Sequence, residues 1–410
     1  MALGSGSGVW TATEDDLATS GTQWLTYFGA RVAAPIFTKG LHVVEGVFSQ
    51  LRVELENAPG AGNTRTFELH EDAVATGLKV TISGTEKQAI DVLTRHTVGT
   101  INGSTAPVLE FKSTETGTSI ASRVRLSMLF ENTNHDYEHC FSGLTGDTKL
   151  STTTQQITLA GDVSSPINGT TGAGLWLPNA GTIRAFGVRL NTQTASGKQP
   201  DATRRFELFK NGTVIAGGTI NFFKNGGNGQ VKVAFPDVTY ADGDNLLVQS
   251  TIVLGSPADS YVSIGVGLSA NEDEFATAFA GASNLPAGTV TNFAVPFGSA
   301  APTYDSSAIL RRSCGMEWRC KKLRTHVTQL PGGKGQSWVI TWPFVAGLKT
   351  IYGPSSSADQ TDETGTQIVN FENLAGEVAA VSIGSTIKSK LSASVLMGPQ
   401  NTGGMSGCHF

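Results

Sequence analysis

Charge is scarce in this 410-residue sequence, where Asp, Glu, Lys and Arg together make up 15% of positions. The formal net charge of −5 and a pI near 5.8 supply no general attraction for nucleic acid or for an anionic membrane, so neither is expected as a partner. There is no run of about 18 apolar residues that would cross a bilayer. Residues Met1 to Gly8 alternate Gly and Ser without a basic stretch followed by an apolar one, so no secretory signal is expected and the chain is read as soluble and made in the cytoplasm. Cysteine is nearly absent: Cys140, Cys314, Cys320 and Cys408 are too few and too scattered for a disulfide framework. Amphipathic helices of ten residues or more are missing as well, and only Asp15 to Ala18 is predicted to start a short one. No Gly-x-Ser-x-Gly elbow, His-Glu-x-x-His or phosphate-cradling Gly-x-x-x-x-Gly-Lys-Ser/Thr occurs, so neither an enzyme nor a cofactor is expected.

What the sequence does contain is glycine, 49 residues of it, among short alternating runs of Val, Thr, Ile and Phe. That composition predicts an all-β protein rich in turns, and the length suits two to four domains. An internal repeat decides the number. One copy reads Leu51-Arg52-Val53-Glu54-Leu55, then Pro59-Gly60-Ala61-Gly62, then Thr66-Phe67-Glu68-Leu69. Another reads Leu323-Arg324-Thr325-His326-Val327, then Pro331-Gly332-Gly333-Lys334-Gly335, then Ser337-Trp338-Val339-Ile340. Between them lies Phe186-Gly187-Val188-Arg189-Leu190, a longer loop without Pro-Gly, then Arg205-Phe206-Glu207-Leu208. The anchors Leu51, Phe186 and Leu323 stand 135 and 137 residues apart, so three copies fill the chain.

The expected organisation is three tandem β-sandwich domains, jelly-roll-like, with closed barrels as the alternative: 1–140 with a lead-in arm, 141–275, and 276–410 with a flexible C-terminal tail. Alternation at Leu51, Val53 and Leu55 turns one face inward, Pro59 cannot donate to a ladder and ends the strand, and the glycines reverse the chain. Leu51, Phe67, Phe186, Phe206, Leu323 and Trp338 are the expected repeat core. Asn211-Gly212 and Asp242-Gly243-Asp244 signal further turns.

The segments Leu51 to Leu69 and Ala121 to Ser127, matched again at Pro331 to Ile340, resemble the Pro-Gly-x-Gly sandwich repeats of virion proteins from tailed phages and prophages. The second copy departs from that pattern by losing the Pro-Gly. The resemblance implies a non-enzymatic capsid-decoration, collar, tail or fibre component, located in a virion assembled in the host cytoplasm and contacting other virion proteins. It transfers no catalytic residue.

Candidate chemistry is thin. His135-Asp136-Tyr137-Glu138-His139-Cys140 holds metal-ligand residue types, but no second ligand pair follows at a workable spacing, so it is read as a polar linker and no metal site is assigned. Cys314 and Cys320 would close a small loop if their Cα atoms approach within about 6 Å and would be too far apart if both lie on one extended strand, while Cys408 sits where a thiol would reach another subunit. The glycine-rich loops at Gly60 to Gly62 and Gly332 to Gly335 join strands and are read as turns. Trp338 and Trp342 share a strand face; a glycan-stacking platform is the alternative to core packing, and a receptor- or carbohydrate-binding role with a host-surface glycan is the alternative function. Trp10, Trp24, Tyr27, Phe28, Cys408 and Phe410 are the candidate inter-subunit contacts, because an isolated polar arm would leave such aromatics in water. A homo-oligomer is expected, with a trimer favoured. Trp24 and Trp176 fall in lead-in segments that would anchor one domain to its neighbour.

Overall fold

The computed structural model describes residues 6–12, 16–26, 32–33, 40–132, 138–144, 150, 153–157, 159, 161–162, 167–168, 174–192, 202–223, 229–256, 260–270, 275–284, 288–294, 318–332, 336–342, 348–363, 367–369, 378–385 and 390–399. Among these residues there is no helix; the protein is all-β, built from several antiparallel sheets. The first stretch holds β1 (Gly6–Ala12), β2 (Thr22–Thr26), β3 (Val32–Ala33), β4 (Gly40–Leu41), β5 (Gly46–Leu55), β6 (Gly60–Glu71), β7 (Val74–Gly84), β8 (Gln88–Thr97), β9 (Val108–Thr116) and β10 (Val124–Asn132). The second holds β11 (Glu138–Leu144), β12 (Gln155–Ile157), β13 (Gly161–Asp162), β14 (Ile167–Asn168), β15 (Leu175–Trp176), β16 (Gly181–Thr192), β17 (Thr203–Lys210), β18 (Thr213–Phe223), β19 (Gln230–Ala234), β20 (Val238–Tyr240), β21 (Asn245–Leu254) and β22 (Ser260–Ala270). The third holds β23 (Phe275–Asn284), β24 (Gly288–Ala294), β25 (Trp318–Val327), β26 (Ser337–Trp342), β27 (Leu348–Tyr352), β28 (Asp359–Asp362), β29 (Gln367–Val369), β30 (Val378–Ser385) and β31 (Lys390–Pro399).

Each sheet draws its strands from one of these stretches. The first gives β1-β10-β5-β8 and β3-β2-β9-β6-β7, with β4 also on β9. The second gives β13-β11-β22-β16-β19, with β20 on β16, and β14-β12-β21-β17-β18, with β15 on β21. The third gives β23-β31-β25-β28, with β29 on β25, and β24-β30-β26-β27. The same order recurs each time. The opening strand lies beside the closing strand, which lies beside the strand carrying Leu51, Phe186 or Leu323. The strand carrying Phe67, Phe206 or Trp338 lies between the penultimate strand and its own hairpin partner.

Local chemistry accounts for the elements. In β5, Leu51, Val53 and Leu55 are buried while Arg52 and Glu54 alternate with them on the other face. All six anchor residues, Leu51, Phe67, Phe186, Phe206, Leu323 and Trp338, have no exposed surface, and each such burial is worth about 1.5–3 kcal/mol. Asn211 and Gly212 both take positive φ, 49° and 77°, as a two-residue type I′ turn needs between Lys210 and its partner Thr213. Thr325 stands in β25 where Val53 stands in β5, and its buried hydroxyl is satisfied at 2.6 Å by both Thr350 Oγ1 and Tyr352 Oη.

Two expectations need correction. The short helix expected from Asp15 is not formed over Asp16 to Ala18: Leu17, fully buried, makes a β-bridge to Ser122, and its burial outweighs the local helix-start signal. The polar linker ends sooner than read, because Glu138, His139 and Cys140 already pair with Ser269, Leu268 and Gly267 in β11. Buried Cys140 and Phe141 draw that segment into the sheet.

Candidate interface between strand groups

The site with the most built geometry lies where one strand group meets the next. In the first group, β4 leaves the sheet edge and runs into Leu41-His42-Val43-Val44, all buried. The run serves two environments. His42 turns back into its own group, with its ring edge-on to Phe48 at 5.2 Å and Phe130 at 4.8 Å between centroids. Burial holds its imidazole down at about 3, against which a backbone hydrogen bond from the Val44 region pushes only weakly, so it is neutral at pH 7.

Leu41 and Val43 face the other way, onto the second group. There the outer face of β16 and β22 is paved with Gly187, Gly265 and Gly267. A Cβ at Gly187 would stand 2.5 Å from Val43 Cγ1 and 2.9 Å from Leu41 Cδ2; at Gly265 it would stand 2.9 Å from the Leu41 carbonyl oxygen. At Gly267 it would meet Val44 Cγ2 at 3.0 Å. Glycine makes room here for the Leu41 carbonyl and for the side chains of Leu41, Val43 and Val44, while the inward residues of the same strand, Ile264, Val266 and Leu268, are large. Around this contact, the Val233 N–H donates to the Gly103 carbonyl at 3.1 Å. The Cys140 thiol lies 3.9 Å from the Leu41 carbonyl. Burial pulls the Arg189 guanidinium down, while Asp72 and Glu110 of the first group push it back up.

A second junction uses the same elements with different side chains. Trp176 of β15 stands ten residues before Phe186, as Leu41 stands ten before Leu51, and it reaches the third group. Its ring stacks on His326 with centroids 4.3 Å apart and planes 19° apart. Ser394 Oγ donates to the Trp176 carbonyl at 2.6 Å. Asp242, in the turn before β21, accepts from Lys322 at 2.6 Å and from Arg324 at 3.1 Å. Arg324 also donates to Asp359 at 2.6 Å, and Lys322 pairs with Glu363 at 2.8 Å. Burial works against the Lys322 ammonium, but Asp242 and Glu363 outweigh it and the net shift is upward. Burial lowers the His326 imidazole against the opposing pull of Asp359, so the stacked ring is neutral. Gly243, at φ +86°, lets this turn sit against the Arg324 guanidinium.

The residues singled out in the sequence are placed as follows. Trp10 lies on β1 opposite Ser127. Trp24, half-buried on β2, is edge-on to His70 at 5.2 Å, and Lys112 Nζ lies 5.8 Å from its ring centre, both within the first group. Cys320 lies on β25 opposite Met397. Tyr27, Phe28, Cys314, Cys408, Phe410 and His135 to Tyr137 lie outside the described residues. Among the described residues no group of three or more His, Cys, Asp or Glu is placed to hold a metal ion. Sequence reasoning passed over Leu41, Val43, Gly187, Gly265, Gly267 and Asp242. The signal for the glycines was present in Ser263-Ile264-Gly265-Val266-Gly267-Leu268, a strand whose outward positions are all minimal.

No protein-family model matches the chain, and no curated protein matches it. Among solved structures, "Structure of PNGF-II in C2 space group" overlays with a TM-score of 0.26 and 8% identity over 65% of each chain. "Structure of infectious bursal disease virus Gx strain" overlays with a TM-score of 0.20 and 7% identity over 96% of this chain and 79% of that one. "Crystal structure of infectious bursal disease virus VP2 subviral particle" gives 0.20 and 8% over 96% and 80%. Scores this low establish no common fold.

Proposed function

We propose that each pair of sheets is one jelly-roll sandwich, that the chain is three of them in tandem, and that it serves as a non-enzymatic structural component of a phage particle. The observation that carries this reading is the recurrence of one strand order in three successive stretches, with the opening and closing strands adjacent in one sheet and the second and penultimate strands adjacent in the other. Jelly rolls of this kind build capsids and also lectins, so the fold does not choose between them. Favouring assembly is the use made of the loops. The segment that leaves the sandwich between its second and third long strands is spent twice on contact with the next strand group of the same chain, with Leu41 and Trp176 at its tip, which is a use suited to building rigid assemblies. Of the two aromatic residues offered by sequence as a glycan platform, Trp338 is fully buried, and the side chain of Trp342 lies outside the described residues. Capsid decoration, collar and tail or fibre positions all fit, with other virion proteins as partners, and the resemblance of the Pro-Gly repeats to tailed-phage virion proteins supports that setting.

Mass spectrometry and a reconstruction of particles purified from the producing host test it. Many ordered copies of the chain per particle are expected. Its absence from purified particles, with the protein found only free in the lysate, would overturn the assignment.

A further inference from the structure

We infer that the chain closes on itself, its third repeat docking on the outer face of β1, β10 and β5 to complete a ring of three sandwiches. The inference rests on the three-repeat reading but not on the virion assignment. Its starting point is a face that is buried where a terminal repeat should leave it open. In β10, Leu126, Met128 and Phe130 point into the first sandwich, which leaves Arg125, Ser127 and Leu129 on the outer side, yet these are 7%, 1% and 7% exposed. Leu129 does not belong to the connected apolar core that its inward neighbours join.

Register identifies the counterparts of these residues. Arg52 opposite Ser127 matches Gly187 opposite Gly265 and Arg324 opposite Ser394; Leu129 falls one outward step further, with Gly267 and Leu396. In the second repeat this line lies under Leu41 to Val44 of the first, and in the third it lies beside β15 of the second. Leu396 is an outward leucine, 6% exposed and outside the apolar core, as Leu129 is. Ser394 donates to the carbonyl at the tip of the preceding repeat's segment, whereas the Ser127 hydroxyl, at the same position, is buried without a hydrogen-bond partner. A buried hydroxyl with an unmet bond costs about 1–3 kcal/mol, and the arriving carbonyl of a third such segment would satisfy it.

The contact is head-to-tail, so repetition must either close or run on. Two copies of the contact are made within one chain, and a third between repeat three and repeat one uses the outer face of this kind that is left over among the described residues. The occupant is therefore the chain's own third repeat, and a third repeat from another chain is the competing outcome.

Spin labels on genetically encoded non-canonical residues at Lys79, Thr219 and Ile351 provide the test. These three exposed positions each precede the residue paired with Phe67, Phe206 or Trp338. Pairwise distances are measured by pulsed EPR in chains diluted with unlabelled protein. The ring predicts that the distance from 351 to 79 equals those from 79 to 219 and from 219 to 351 within a few ångström. A third distance much longer than the other two overturns the ring, as does a short one that disappears on dilution, which would place another chain's repeat on the face. Unequal first and second distances would overturn the three-repeat reading itself, and the ring with it. Leu129→Glu should lengthen only the third distance. Independently, the unmodified monomer should scatter with a radius of gyration of about 22 Å, against roughly 30 Å for three sandwiches in a row; the larger value overturns the proposal.

Discussion

The two junctions use one piece of topology and opposite chemistries. At the first, an apolar segment lies on glycine, with the Val233–Gly103 backbone hydrogen bond and the Arg189 guanidinium, faced by Asp72 and Glu110, at its margin. At the second, a tryptophan stacks on a histidine and a single aspartate bridges two cations. An apolar, close-packed contact fails when volume or an internal charge is added, whereas an ion-paired rim responds to ionic strength and to loss of one partner. The strand order thus fixes where neighbours touch and leaves open what holds them.

Acid should separate the two most sharply. His42 titrates at about 3 in the fold and near 6.5 unfolded, so it contributes stability that is complete above about pH 6.5 and is lost as pH falls toward 3, by as much as roughly 4–5 kcal/mol. Unfolding followed from pH 8 to pH 4 should show the first repeat weakening most, with the second junction also losing stability because burial holds the His326 imidazole down as well. His42→Phe should flatten that slope; an unchanged pH profile in the variant would remove His42 from the explanation.

Bulk is the next test. Gly265→Leu places a side chain against the Leu41 carbonyl and should cost about 1–3 kcal/mol, read as protease cleavage between residues 132 and 138 under conditions that leave the parent chain intact. The corresponding second-junction change, Ser394→Ala, should cost about 1 kcal/mol by removing one hydrogen bond. Equal sensitivity at the two sites would erase the contrast.

Charge comes last. Asp242 is 40% exposed, so each of its ion pairs is worth only about 0.5–1 kcal/mol, and Asp242→Asn should loosen the second junction by about that much. Raising salt from 0.05 to 0.5 M should have a similar, partial effect there and leave the Leu41–glycine contact of the first junction almost untouched, while screening the Arg189 margin near Asp72 and Glu110, as followed by hydrogen exchange in β15 and β4.

The buried faces of the sheets were legible because their signals are local. Leu51, Val53 and Leu55 alternate with polar residues over a single buried face, and Asn211-Gly212 admits few conformations other than a tight hairpin turn. The junctions were not legible, since Leu41-His42-Val43-Val44 carries no alternation to read: its residues serve two interiors at once, and the one polar member points into the nearer of them. Trp24 and Trp176 looked alike in sequence as lead-in aromatics. Trp176 meets His326 in the next group, while Trp24 packs beside His70 and Lys112 in its own. The Leu17 bridge to Ser122 escaped notice for the same reason, as its partner lies 105 residues along the chain.

The glycine floor under Leu41 has a consequence for how such a chain changes over time. In a trimer of identical subunits every substitution at a joint is written three times, so Gly265 could not be glycine at one joint and serine at another. A fused chain writes each joint once. On the three-repeat reading proposed above, Gly265 and Ser394, and Gly187 and Arg324, occupy matching places and differ, each fitted to the one neighbour it meets. Fusion converts a symmetric constraint into separately adjustable hinges, and one polypeptide can then present chemically different flanks to its surroundings on a single repeated scaffold.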